Sequence, residues 1–490
     1  MFGISFHGHV FVANGTRPHF TPEDRTIQLS GPLSSPVHTA RSHRSLASSP
    51  PRVTGRRLSL RIALMVLSAL ILRLVIVSLV FRDVAAPTID HEQFGWEMGW
   101  TARSIALGHG FGSPFLPWTG PTALVPPLYP YLLALIFRIF GLYSASSALV
   151  TLSLNSLFSA LTCIPVYFST RNAISERAAN LAGWAWVIYP FSVYFSADRV
   201  WDYALTALLF CCCFWAVQNL HQRSKLIAWL GFGALVGITA LSNPSVLSTV
   251  PFLLAIALWK VRRAGGRWLL HGLVVAIGVA AIATPWAVRN ESVLHSTSLI
   301  RDGFWLEFWA GNSGDTSDSN PPWAHPASNP VEMQKYQSLG EINYLAQKHD
   351  LAMAFISRHP FFFVEVSLRR VVRFWTGFWS ASSTYLHSQP LDIPNFFFCT
   401  ALSVLMIRGA RRWWQTDRAG VLPYMCLIAL FPLPYYLTHS SMDYRQPIEP
   451  EVITLVIVGI FGLRRTNSAA EDGTLNADTN STEEPVLATS

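Results

Sequence analysis

The stretch TIDHEQFGWEMGW at 88–100 sets three carboxylates, Asp90, Glu92 and Glu97, just beyond a long apolar run. An acidic side chain at a bilayer edge can hold a raised or tuned pKa and so take a proton from a hydroxyl. If 89–100 begins a helix, Asp90 and Phe94 share one face, as do Gln93 and Glu97. The same acids also suit a solvated loop. Asp-His-Glu at 90–92 could hold a divalent metal, but two or three ligand types within three residues is a weak metal signature.

Three further constellations carry chemistry-bearing side chains. In ADRVWD at 197–202, Asp198 suits a helix cap, while Asp202 lies one turn deeper, where an ionisable group is costly and so a functional candidate; pairing with Arg199 is the alternative. Arg289 closes TPWAVRN at 284–290, and HSSMDYRQPIEP at 439–450 carries His439, Asp443, Tyr444 and Arg445. An arginine on the outer face runs against the positive-inside bias, and its planar fork suits a phosphate. The competing reading pairs such an arginine with Asp443 or with lipid headgroups. Acids plus isolated arginines thus recur in four separate loops.

Membrane helices must position these loops. The 490 residues are 51% hydrophobic and only 13% charged, about half the charged fraction of an ordinary soluble domain. A span needs roughly 20 apolar residues, and ten stretches qualify as candidates: 58–82, 146–169, 178–195, 200–219, 226–242, 244–259, 268–288, 390–408, 421–438 and 446–463. The pairs 178–195 with 200–219 and 226–242 with 244–259 suit hairpins. The expected fold is an all-α polytopic membrane protein with interfacial helices and an outer loop region.

Basic residues near span ends favour the cytoplasm. Arg56 and Arg57 place the amino end inside, and the later clusters around Arg171, Arg223, Lys260, Arg411 and Arg464 then fall on the same side. This alternation requires PPLYPYLLALIFRIFG at 126–141 to lie on the outer interface instead of crossing. The stretch 360–379, mixing aromatic and basic residues, also suits an interfacial helix. The organisation read from these patterns is a disordered cytoplasmic arm (1–57), a bundle (58–288) with a first outer loop at 83–145, an outer region (289–389), carboxy-terminal spans (390–463) and a disordered tail (464–490). The net charge of +8 lies in short clusters between spans, which argues against nucleic acid as a partner. The six cysteines fall in apolar runs and form neither a disulfide framework nor a zinc spacing.

Taken in order, GHGFGSPF, PPLYPYLLAL, YPFSVYFS, GITALSNPSVL, TPWAVRN, WAGN and DYRQPIEP make 58–463 resemble the C-type glycosyltransferases of the protein mannosyltransferase and aminoarabinose transferase kind, the bacterial family 39 group. That resemblance implies a catalytic Asp in the first outer loop and a sugar donor carried on a polyprenyl phosphate. By position Asp90 matches that Asp, with Phe94 where the family often has Tyr, and Asp202 stands where many relatives have Glu. Glu92, Arg289, Tyr444 and Arg445 are the expected substrate-binding residues. Val125 departs from the family, whose relatives often carry Lys or His just before the double proline.

The function the resemblance implies is transfer of a sugar from a polyprenyl phosphate to an acceptor hydroxyl on a lipid, glycan or protein. It would run outside the membrane, with inversion and with Asp90 as base. No cofactor is called for, and a divalent metal stays open through Asp-His-Glu. No phosphate-cradling GxxxxGK[ST] loop is present. The alternatives are a transporter or flippase for lipid-linked sugars, whose folds carry internal repeats and midplane sites, and a non-catalytic membrane scaffold.

Overall fold

The computed structural model describes residues 53–85, 94–115, 118–314, 322–377, 380, 383–388 and 392–463. Its described elements are helical throughout, apart from an isolated bridge between Gly112 and Pro121. In chain order the helices are α1 (Val53–Val84), α2 (Trp96–Ala106), α3 (Leu128–Phe140), α4 (Ala145–Leu161), α5 (Cys163–Ala173), α6 (Glu176–Ile188), α7 (Pro190–Ala197), α8 (Tyr203–Leu220), α9 (Leu226–Ser242) and α10 (Val250–Arg263). They continue as α11 (Trp268–Leu294), α12 (Phe304–Gly311), α13 (Pro330–Leu339), α14 (Glu341–Arg358), α15 (Pro360–Thr376), α16 (Ser383–Ser388), α17 (Asp392–Thr416), α18 (Arg418–Leu430), α19 (Leu433–Leu437) and α20 (Glu449–Phe461). Side-chain oxygens cap several starts: Ser144 accepts from Ser147 N, Ser175 from Ala178 N and Asp417 from Gly420 N.

Six helical stretches among the described residues are long and apolar enough to cross a bilayer: Leu58–Val84, Ala145–Ala173, Tyr203–Leu220, Trp268–Leu294, Asp392–Thr416 and Arg418–Leu437. The chain is an all-α polytopic membrane protein, and α1 presents Leu60, Leu67, Ile71 and Leu79 outward, as a lipid-facing helix does. The ten stretches expected from hydropathy are not all continuous helices. Pro190 splits 178–195 into α6 and α7, a 3₁₀ turn at Pro244–Ser248 precedes α10, and another at Asp443–Ile448 precedes α20. Proline supplies no N–H to the helical ladder, so hydropathy averaged across it overstates helix length. At 13 residues, α3 spans about 20 Å, well short of a roughly 30 Å hydrocarbon core.

The break between α6 and α7 frees backbone carbonyls inside the bundle, and Arg73 of α1 satisfies them. Its guanidinium, fully buried, donates to Trp186 O (3.3 Å), Val187 O (3.1 Å), Ser192 Oγ (2.7 Å) and Ser159 Oγ (3.0 Å). Trp186 is the residue whose carbonyl would have received the missing N–H of Pro190. One intramembrane cation therefore fixes the direction of α7. Elsewhere α17 and α20 pack backbone to backbone: a Cβ on Gly409 would overlap Leu455 O, and one on Gly459 would overlap Leu405 O.

Above the bundle, α12–α15 surround their own core of Phe115, Leu124, Leu306, Trp309, Tyr336 and Tyr344. Helices α14 and α15 meet at 105° across His359–Pro360. Inside this region the buried Lys348 ammonium lies 3.5 Å from the Trp309 ring centroid and donates to Glu332 at 2.5 Å. Paired in this way, the buried charge is compensated and holds α14 against α12 and α13.

Candidate functional site

A cavity of about 730 Å³ opens between the membrane helices and the outer region. Its wall begins at Gly95 and Trp96, where the chain enters α2. Gly95 has φ +93, and a Cβ there would lie 2.8 Å from Val200 O, so this entry requires glycine on both counts. Trp96 itself is held at φ 45, sparsely populated for a bulky side chain, with its ring edge-on to His325 at 5.9 Å.

Opposed charges line the wall in pairs. His325 Nε2 lies 2.8 Å from Glu97 Oε1, while Ala327 N donates to Nδ1 at 3.3 Å, which assigns the ring proton to Nε2. Burial pushes the Glu97 carboxyl up, but the hydrogen bond from His325 and the ring's electrostatic effect at 2.8 Å leave the group below its ordinary value. Glu307 of α12 sits between Arg301 Nη2 (3.7 Å) and His439 Nδ1 (3.2 Å). The chain of contacts continues from His439 Nε2 to the Tyr444 hydroxyl at 2.6 Å. Tyr444 stacks on Tyr435 at 4.7 Å, and burial together with the Asp443 charge holds its phenol well above the usual range. Tyr203 donates to Asp443, and Arg199 donates to the Tyr194 hydroxyl at 2.7 Å.

Of the residues expected from sequence, Tyr444 lines this cavity, as do Arg199, His439 and Asp443. Asp90 and Glu92 lie outside the described residues, and so does the Asp-His-Glu cluster suggested as a metal site. Among the described residues no group of three His, Cys, Asp or Glu could hold a metal ion. Asp202 stands behind the wall, accepting from Thr206 Oγ1 (2.8 Å) and from Asn243 Nδ2 (3.4 Å), and Asn243 is the residue that faces the cavity. The alternative pairing of Asp202 with Arg199 is not formed; Arg199 lies 3.8 Å from Asp198 instead.

Arg289 and Arg445 occupy positions different from the open phosphate-facing ones expected of them. Arg289 spends its guanidinium on Thr122 O and Phe111 O, both at 2.6 Å, and lies over the Trp286 ring. It thereby clamps the 111–122 loop. Arg445, 1% exposed, forms a 2.8 Å ion pair with Glu449 and leans on Phe374 O and Trp375 O. Neither of them lines the cavity. Sequence reasoning missed Arg301, Glu307 and His325, because only the tertiary fold brings Arg301 and Glu307, at the start of α12, to the same wall as His325 and to their partners Glu97 and His439. Val125 lines the wall near Arg301: a Cβ on Gly303 would meet Leu124 O at 2.8 Å and Arg301 Nη2 at 2.9 Å.

Beside the cavity, Glu341 at the start of α14 accepts from Ala123 N (2.6 Å), the Tyr336 hydroxyl (2.5 Å) and Thr122 Oγ1. Burial, then the neighbouring Glu341 charge, pushes the Asp302 carboxyl up to about 8. Glu341 is raised as well, by burial first. Two carboxyl groups in contact cannot both ionise cheaply, so the pair holds one proton between them. This junction joins the loop before the double proline to the segment that carries Arg301.

Residues 124–287 match the family model described as dolichyl-phosphate-mannose-protein mannosyltransferase. Over this third of its length the chain is similar to these mannosyltransferases. It is 22% identical over 137 residues to the undecaprenyl phosphate-alpha-4-amino-4-deoxy-L-arabinose arabinosyl transferase 2 of Proteus mirabilis (strain HI4320), covering 28% of this chain and 24% of that protein. To the protein of the same description in Pseudomonas fluorescens it is 25% identical over 108 residues, 22% of this chain and 18% of that one. The matched stretch thus spans less than a quarter of these curated relatives. Among solved structures, the apo oligosaccharyltransferase of Archaeoglobus fulgidus aligns with 86% of this chain and 52% of its own, at 15% identity and TM-score 0.48. ArnT from Cupriavidus metallidurans bound to undecaprenyl phosphate aligns over 87% and 82%, at 14% identity and TM-score 0.34. The family match takes in Val125, Arg199, Asp202 and Asn243, whereas Arg301, Glu307, His325 and Tyr444 lie beyond it.

Proposed function

We propose that the protein is a membrane glycosyltransferase that moves a sugar from a polyprenyl-phosphate donor to an acceptor hydroxyl, at a site on the extracytoplasmic side of the plasma membrane. The observation that carries this reading is the cavity itself, about 730 Å³ and walled by Arg199, Arg301, Glu97 and Glu307 together with Tyr444, in a chain whose 124–287 stretch matches the mannosyltransferase family. A lipid-borne donor suits a site bordering membrane helices. The aromatic wall of Trp96, Trp201, Tyr203 and Tyr435 suits a sugar and its apolar carrier.

In this reading the acceptor oxygen attacks the anomeric carbon from the face opposite the phosphate. The bond from that carbon to the phosphate oxygen breaks, the polyprenyl phosphate leaves with the electron pair, and the hydroxyl proton passes to the Asp90 carboxylate. One displacement inverts the anomeric centre. Chain connectivity supports Asp90 as base, since it precedes the cavity-lining Gly95 by only five residues. With Arg289 and Arg445 engaged elsewhere, Arg199 and Arg301 are the cations available to the growing phosphate charge; Arg301 Nε is buried and donates to no acceptor among the described residues. Preorganised charge of this kind is usually the largest catalytic term, and general-base help adds about 10²–10⁴-fold.

Purified protein offered a panel of labelled polyprenyl-phosphate sugars, with lipid, glycan and peptide acceptors, should transfer label from one of them. Asp90→Asn should fold and abolish transfer. Lipid-linked sugar crossing vesicles intact, with no transfer to any acceptor, would replace this reading with a flippase.

A further inference from the structure

On α17, Val404, Ile407, Arg408, Arg411, Arg412 and Gln415 wall a shallow cavity of about 380 Å³. Their spacing of three and four residues aligns them on one helix face. Val404 and Ile407 are 59% and 53% exposed, and Arg408 and Arg411 are exposed as well. Arg412 is fixed, donating from Nη1 to Gly459 O at 2.9 Å against the end of α20. Among the described residues none of these three arginines meets a carboxylate at ion-pair distance. Several other basic side chains near helix ends do find partners: Arg61 pairs with Glu176, and Arg262 and Arg263 lie over Trp268 and Trp259. The uncompensated cluster stands where the helix turns from aliphatic to cationic, one turn before the half-exposed Trp414, an interfacial residue by type.

We propose that this face binds an anionic phospholipid bearing two phosphates, its headgroup on Arg408, Arg411 and Arg412 and an acyl chain along Val404 and Ile407. Three cations without counter-charge exceed what one phosphodiester neutralises. A zwitterionic headgroup would bring a cation of its own to the same place. Free phosphate would leave the aliphatic half of the stripe unused, whereas a lipid engages both halves and approaches from the membrane that α17 already occupies. The site is separate from the cavity above and does not rest on the transfer reaction.

Native mass spectrometry of the full chain in detergent, titrated with diphosphatidylglycerol, phosphatidylcholine of the same acyl chains or inorganic phosphate, tests the proposal. Diphosphatidylglycerol should bind in preference to phosphatidylcholine. Arg408→Gln with Arg411→Gln should weaken it about 30-fold, from two surface charges at about fivefold each. Arg262→Gln with Arg263→Gln, on a basic helix end without the stripe, should leave it within about threefold. The proposal is overturned if phosphatidylcholine binds equally, if the α17 pair of changes has no effect, or if the α10 pair costs as much. Displacement of the lipid by equimolar inorganic phosphate would make this a free-phosphate site and overturn the lipid assignment.

Discussion

Replacing Asp302 by Asn should make the protein more tolerant of alkaline pH. In the folded chain this carboxyl keeps its proton up to about 8, because burial and Glu341 disfavour its charge. In the unfolded chain it ionises near 3.9. Between those values the folded state holds a proton that the unfolded state has released, so stability falls as pH rises through the window and levels off on either side. A full window contributes about 1.4 kcal/mol per pH unit, or roughly 3 kcal/mol from pH 6 to 8. Asp302 is only partly buried, and halving for solvent screening leaves about 1–2 kcal/mol. Asparagine fits the same space, has no proton to lose and can donate its amide to Glu341 at every pH. Melting curves of detergent-solubilised protein, followed by tryptophan fluorescence between pH 5 and 9, should show wild type and Asp302→Asn diverging by a few degrees as pH rises, with the substituted protein the more stable. Parallel curves, or a wild type that gains stability from pH 6 to 8, would refute the shared-proton account of this junction.

The remaining expectations concern charge placement and packing. Glu449→Gln strands the Arg445 cation in the interior and should cost about 3–5 kcal/mol, read as lost yield of folded protein. Arg73→Met removes the guanidinium donor to Val187 O, at about 1–3 kcal/mol for a buried carbonyl that loses its partner, while Trp186 O keeps Tyr189 N and Ser192 Oγ; it should lower the melting temperature without touching the cavity wall. Gly409→Val drives a side chain into Leu455 O and should separate α17 from α20, which a cysteine cross-link between the two helices would report. If Arg301 supplies the phosphate-facing cation, Arg301→Gln should reduce transfer at least tenfold, and adding Val125→Lys on the same wall should restore part of it; no restoration would separate the two positions functionally.

The membrane character and the loops that carry chemistry were legible because both are local properties, apolar length and residue type. Tyr444 and Asp443 could be singled out in DYRQPIEP, and both face the cavity. Arg445 in the same motif lies off the cavity for a reason also written locally. Glu449 follows it by four residues, one helical turn, and an ion pair at that spacing turns the cation inward. Arg289 lies off the cavity for another reason, since its partners are backbone carbonyls of residues 111 and 122, which no residue-type argument can anticipate. His325 and Glu307 were invisible for want of any periodic signal around them, and they matter only through Glu97 and His439, each more than 100 residues away. The ten-span count is not confirmed, because at Pro190, Pro244 and Pro447 hydropathy is high but the α-helical ladder is interrupted.

Arg73 also constrains how the protein is made. Its partners at Trp186, Val187 and Ser192 follow it by 113 to 119 residues, an interval of roughly 6–24 s at ordinary rates of synthesis. During that interval the first hydrophobic segment must remain where its guanidinium can stay hydrated, at the insertion machinery or near the bilayer surface. Final seating of the amino-terminal segment therefore waits for the sixth and seventh helices to arrive, which ties completion of membrane insertion to a later stage of translation.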